Sequence, residues 1–221
     1  MEIKILTTPF ILNVSINCYL IRTSKGFILI DTGRTRKRCT IEKELESVGC
    51  QPENLKLIIL THGDFDHSGN AAYFRKKFGT QIAMHKDDSG IVERGDMLWN
   101  RNKQNIVVKI MFKLLFRLGK PNRFKPDLYI DEGYDFSEYG FEAKVLDIPG
   151  HSKGSIGILT ANGDLFCGDL LANVDKPQIW SIIDDSDAAH TSIEKLKRLQ
   201  INTVYPGHGQ PFTMELFLKT C

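Results

Sequence analysis

The 221-residue chain is poor in cysteine, and its cysteines show no pairing pattern. Cys18, Cys39, Cys50, Cys167 and Cys221 are odd in number and form no Cys-x-x-Cys. This argues against a disulfide framework and against a zinc ribbon, and free thiols fit a reducing compartment. No apolar run is long enough to span a bilayer, and Met1-Glu2-Ile3-Lys4 opens directly on strand-like sequence instead of a leader. The expectation is a cytoplasmic protein with no stable membrane insertion. An excess of one charge is missing too. The formal net charge is +2, which gives no electrostatic footprint for nucleic acid. What remains is an ordinary globular composition, 42% hydrophobic. The length suits a single domain over 1–221, with an inserted element at 86–126.

Strands and helices alternate in both halves. Residues 2–6, 17–22 and 26–31 read as strands, the third a continuous apolar run that ends on Asp31 before a Thr32-Gly33 turn. Residues 38–48 read as a helix closed by Gly49 and Pro52. Leu57-Ile58-Ile59-Leu60 reads as a buried strand, followed by a helix over 69–78 and a strand over 81–85. Further on, 144–148 reads as a strand and 155–160 with 164–167 as a hairpin on a two-residue Asn162-Gly163 turn. Residues 187–200 read as a helix capped by Ser186, and 203–205 as a last strand. The alternation predicts an α/β sandwich of two sheets covered by helices.

Polar clusters lie just beyond the C-terminal ends of the apolar strands, where a rigid scaffold holds functional loops. His62, Asp64, Asp66 and His67 fall within six residues, directly after Leu-Ile-Ile-Leu. Imidazole nitrogen and carboxylate oxygen both suit zinc and iron. A tight loop can turn these side chains toward one point, and two adjacent ions are easier to serve than one. His151 and His208 each occur in Pro-Gly-His after a strand, and Asp169 in Cys-Gly-Asp after another. Together they supply the ligands still missing.

These motifs resemble the metallo-β-lactamase-fold superfamily: Ile30-Asp31-Thr32-Gly33, Thr61 to Gly69, Gly150 to Ser155, Gly168-Asp169 and Gly207-His208-Gly209, in the family's order. The resemblance implies an αβ/βα four-layer sandwich of two mixed sheets, with a dinuclear site at one edge. It implies that His62, Asp64 and His151 hold one ion, that Asp66, His67 and His208 hold the other, and that Asp169 bridges them. A bridging hydroxide would attack an ester, thioester or lactone carbonyl, with Asp66 orienting it or carrying its proton. Zinc is the simplest guess for the two divalent ions, with iron or manganese as alternatives.

One position departs from the family's usual His-x-His-x-Asp-His, because the second His is Asp64. A carboxylate coordinates well, and the similar flavodiiron members carry an acidic residue there and hold iron. An alternative function is therefore a non-haem iron redox protein handling oxygen or sulfur species. The charge count also changes. Two divalent ions, three carboxylates and a hydroxide sum to zero, which stabilises hydroxide less than a positive site does.

Asp31 reads as a residue that fixes a histidine ligand or satisfies its own turn. Lys176 could pair with a carboxylate on a small-molecule substrate. Cys167 reads as a small core residue. The short tail after His208 leaves no room for the helical domain of hydroxyacylglutathione hydrolases, which disfavours a glutathione thioester. From Met97 to Pro126 there is no acidic residue. Residues 105–118 read as a helix, apolar almost all round, with Lys109, Lys113 and Arg117 on one edge. It packs on the core with its lysines reaching out, or forms a lid or homodimer contact over the cleft, where Trp99, Met111 and Phe112 would line an apolar pocket, or lies on a membrane surface.

Overall fold

Strand β2 (Val14–Thr23) shows how the layers arise. Successive side chains of a pleated strand point to opposite faces. Cys18 and Leu20 join one buried cluster, and Tyr19 and Ile21 join another. Both faces are buried, so this sheet is an inner layer. The computed structural model describes residues 2–11, 13–101 and 118–220.

The first sheet has the order β1 (Glu2–Ile11), β2, β3 (Gly26–Ile30), β4 (Leu55–Ile59), β5 (Gln81–Met84) and β6 (Leu128–Tyr129). It is antiparallel through β3 and parallel beyond it. Helices α1 (Arg38–Ser47) and α3 (Ala71–Phe78) cover its outer face, with Ile41, Leu45, Phe74 and Phe78 set on Leu20, Leu29, Ile58 and Leu60. The second sheet runs β13 (Phe212–Thr213), β12 (Thr203–Pro206), β9 (Asp164–Gly168), β8 (Ile156–Thr160) and β7 (Ala143–Asp147). Helices α5 (Ser186–Leu196) and α6 (Met214–Thr220) cover it, with Ile193, Leu196 and Phe217 against Leu165, Cys167 and Val204. Between the sheets, Ile28, Ile30, Leu57 and Ile59 meet Val145, Ile156, Ile158 and Phe166. The result is the αβ/βα sandwich of two mixed sheets.

Two local expectations are corrected. The β8–β9 hairpin is closed by three residues, 161–163, because Leu159 pairs with Leu165. Gly163 takes the left-handed conformation that such a loop needs, and the Asp164 amide donates to Thr160 Oγ1. Helix α5 is capped by Asp185, whose carboxylate accepts from the Ala188 amide, so Ser186 is its first helical residue. The helix expected over 69–78 is α3, and an unexpected short helix, α2 (Phe65–Ser68), precedes it, since the metal motif itself turns helical. The helix expected over 105–118, with Met111 and Phe112, lies outside the described residues apart from Leu118, which is buried. Among the described residues no helix is long and apolar enough to cross a membrane.

Strand direction positions the site. Strands β3 and β4 are parallel, β9 and β12 are parallel, and β7 and β9 are both antiparallel to β8. Their C-terminal ends therefore open at one edge. There they release Asp31, His62, His151, Asp169 and His208.

Candidate metal centre

Each histidine of the motifs is fixed at one ring nitrogen and free to coordinate at the other. His151 Nδ1 lies 2.6 Å from the Ile182 carbonyl, and His208 Nδ1 lies 2.7 Å from the Ser15 carbonyl. His67 Nδ1 lies 2.9 Å from Asp31 Oδ2. The Thr61 hydroxyl donates to Asp31 Oδ2 at 2.8 Å, so its oxygen is left to accept from His62 Nδ1 at 2.9 Å. All four partners accept, so all four rings carry the proton on Nδ1 and turn Nε2 inward. Fixing a ligand ring through its other nitrogen is the usual support for a metal-binding histidine. The Nε2 atoms of His62 and His67, and Oδ1 of Asp169, are buried with no hydrogen-bond partner. Leaving such atoms unpaired costs roughly 1–3 kcal/mol each, so the donor set fits divalent cations.

The donors form two groups with a carboxylate between them. His62, His151 and Asp169 present atoms within 4.8 Å of one another, as do Asp66, His67 and His208. Asp169 Oδ2 is 3.1 Å from His208 Nε2 and 3.9 Å from both His62 and His151 Nε2. Its Oδ1 is 3.3 Å from His67 Nε2. Asp64 Oδ2 joins the first group, 3.1 Å from His151 Nε2 and 4.0 Å from His62 Nε2. The seven residues named from the sequence thus converge on one buried point.

The loops converge because their backbones are tied together. Asp31 adopts a left-handed conformation with φ 59°, which Asp tolerates better than most residues. Its Oδ1 accepts from the Thr61 amide at 2.9 Å. The Thr32 amide and hydroxyl both donate to the His67 carbonyl. Asn70 Nδ2 donates to the carbonyls of Thr32 and Arg34. Asp88, on α4 (Lys86–Arg94), is a buried clamp that sequence reading missed. Its carboxylate accepts from the Gly63 amide, the Gly154 amide and the Ser152 hydroxyl at 2.7–2.9 Å, joining the loops that carry His62 and His151. Nothing in the sequence distinguishes Asp88 from its exposed neighbour Asp87.

The ionisation of the centre follows from burial and opposed charges. Burial pushes the His62 imidazole well below its usual range. Burial opposes protonation of His67 too, but Asp169, Asp31 and Asp66 outweigh it and hold that ring above its usual value. Burial raises Asp66. For Asp64 burial is outweighed by the Arg101 guanidinium and by His151, which hold the carboxyl well below the usual carboxylate range.

Arg101 corrects the charge count. Its Nη2 donates to Asp64 Oδ1, with both side chains buried. This cation returns one positive charge to a site that would otherwise be formally neutral with two divalent ions and a hydroxide. Sequence reading gave Arg101 no role, because nothing local shows that it turns inward.

A cavity opens over the centre. Phe10, Ile11, Phe65, Met97, Trp180 and Ile182 line it, with Asp64, Asp66, Arg101, His151, Asp169 and His208 at its base. Trp180 stacks on His208 with ring centroids 4.7 Å apart. Two residues named as substrate contacts lie elsewhere. Trp99 is half-exposed, set over Gly90 of α4 and beneath the Arg94 guanidinium, 3.9 Å from its ring centroid. Lys176 is exposed in the turn between β10 (Leu171–Asn173) and β11 (Pro177–Ile179).

Known proteins are similar to this chain. The chain is 31% identical over 164 residues to hydroxyacylglutathione hydrolase GloC of Haemophilus influenzae, covering 70% of this chain and 66% of that one. It is 26% identical over 220 residues to the human acyl-coenzyme A thioesterase MBLAC2, covering 92% of this chain and 76% of that one. It spans only 58% of another relative, the beta-lactamase-like protein 2 homolog of Caenorhabditis elegans, at 25% identity over 91% of this chain. Among solved structures, TTHA1623 in a di-iron-bound form superposes with a TM-score of 0.75 at 25% identity, covering 98% of each chain. The Metallo-beta-lactamase superfamily profile matches residues 12–208, a span that contains every ligand loop. With two sheets delivering seven candidate ligands to one edge, the chain belongs to the metallo-β-lactamase superfamily.

Proposed function

We propose that the chain is a metal-dependent hydrolase that holds two divalent ions and cleaves the carbonyl of a thioester, ester or lactone. The observation that carries this reading is the set of four imidazoles, each anchored at Nδ1, with Nε2 turned toward three buried carboxylates. His62, Asp64 and His151 would hold one ion and Asp66, His67 and His208 the other, with Asp169 shared. When bound, such ions supply Lewis acidity to a carbonyl oxygen and lower the pKa of water.

The chain's own groups do the rest. Asp66 sits at the base of the cavity with its carboxyl pushed up by burial, so it can hold a proton and release it to a leaving group. Phe10, Phe65, Met97, Trp180 and Ile182 form apolar walls that exclude water and receive an acyl chain. The names of GloC and MBLAC2 support trying thioesters first, those of coenzyme A and, against the expectation from the short tail after His208, those of glutathione. A redox role at an iron pair is the second reading, favoured by the carboxylate of Asp64 and by the di-iron form of TTHA1623.

The test is metal content of the purified protein, followed by a thioester and ester screen with Asp66→Ala as control. We expect two ions per chain, hydrolysis of at least one thioester, and a loss of 100-fold or more in the variant, on the order expected for removing an acid–base group. Stoichiometric iron with dioxygen consumption and no hydrolysis would replace the first reading by the second.

A further inference from the structure

Asp64 is the position at which the ligand set departs from the family's usual histidine, and a buried arginine lies against it. Arg101 is only 7% exposed at its side chain and binds Asp64 Oδ1. The other oxygen, Oδ2, is left facing His151 at 3.1 Å and His62 at 4.0 Å. The carboxylate is therefore divided, with one oxygen for the guanidinium and one for the ligand cluster.

The approach of Arg101 is built. Asn100 adopts a left-handed conformation with φ 58°, which reverses the chain just before Arg101. Asn100 Nδ2 donates to the Asp87 carbonyl, and its Oδ1 accepts from Lys153 Nζ. Four residues before Arg101, Met97 Sδ accepts from the Phe65 amide at 3.1 Å, so the 97–101 segment lies directly on the ligand motif. Arginine carries its charge at any working pH, and a buried guanidinium needs a counter-charge. Asp64 provides it.

We propose that Arg101 is the counter-ion of Asp64, and that the two side chains together replace one neutral imidazole among the ligands of the first ion. The pair offers one donor atom and no net charge, as a histidine does. Arg101 also withholds Oδ1, so Asp64 binds through a single oxygen. This rests on the two-ion reading above.

The test is zinc titration of the metal-free full chain against a chromophoric chelator, run with circular dichroism and thermal melts on each variant. The parent should take two ions. Asp64→His should weaken the first ion tenfold or more, because the guanidinium is left beside the metals without its directly bonded counter-charge. Adding Arg101→Met to Asp64→His should restore affinity to within threefold of the parent. Arg101→Met alone should tighten the first ion tenfold or more, since a nearby cation is gone and both carboxylate oxygens are free. Arg101→Lys, which keeps the charge, should stay within threefold. If Asp64→His does not fold, Arg101→Met against Arg101→Lys decides alone. Two ions in the parent, with no gain from Arg101→Met in either background, would overturn the pairing and leave the two-ion reading intact. No zinc bound by the parent would overturn both.

Discussion

At the scale of single residues, the centre depends on atoms that never touch a substrate. Asp31 bonds the ring of His67, the hydroxyl of Thr61 and the amide of Thr61, so it fixes two candidate ligands at once. Asp31→Asn keeps the shape but removes the charge that orients His67. We expect a fall in metal affinity of about 10–100-fold, measured by chelator competition, as for other partners of ligand histidines. An unchanged affinity would mean that the turn holds His67 without Asp31. Gly207 is a second such point. A Cβ there would lie 2.1 Å from Asp169 Oδ1 and 2.7 Å from His67 Cε1. Gly207→Ala must therefore displace the shared carboxylate, and we expect fewer than two ions per chain by elemental analysis. Two ions at parental affinity would show that the Gly207 backbone gives way instead.

At the scale of elements, helix α4 does work that its sequence does not advertise. It begins at His85, whose Nδ1 accepts from the Asp87 amide, and ends at Gly95 in the left-handed conformation. One turn in, Asp88 closes the gap between the loop after β4 and the loop after β7. Asp88→Ala leaves two buried amides and a hydroxyl without their acceptor. We expect a loss of about 3 kcal/mol in urea unfolding, summing several unmade bonds to a charged group. A change under about 0.5 kcal/mol, the level of an ordinary surface substitution, would refute the clamp. The Asp164–Gly168 and Thr203–Pro206 strands show the opposite case, in which local sequence is enough. Their apolar runs and the glycines that end them were legible, because period, turn chemistry and burial all agree.

At the scale of the whole molecule, the two sheets meet at their C-terminal edge, where candidate ligands are drawn from both. The first sheet contributes His62, Asp64, Asp66 and His67, and the second contributes His151, Asp169 and His208. Metal bound across that seam stabilises the folded chain only. At free metal a hundredfold above its dissociation constant, one such site adds about 2.7 kcal/mol. For a chain of this length that corresponds to roughly 5–10 °C in melting temperature. Stripping the metal with a chelator should lower the melting temperature by at least that much in differential scanning fluorimetry. No shift, with metal loss verified, would show that the seam is held by protein contacts alone.

The ligand motifs and most of the strands were legible in the sequence by itself. Each apolar run forms a strand from its own composition, and each motif follows one at short range, so neighbours along the chain carry the information. The meeting of Asp64 with Arg101, the clamp at Asp88 and the apolar walls of Phe10, Met97 and Trp180 were decided only in the tertiary structure. These contacts join residues far apart in sequence. An arginine on a basic stretch looks the same whether it faces water or a carboxylate. What separates the two cases is the direction in which the chain re-enters the fold, set here by Asn100 and by the segment packed on Phe65.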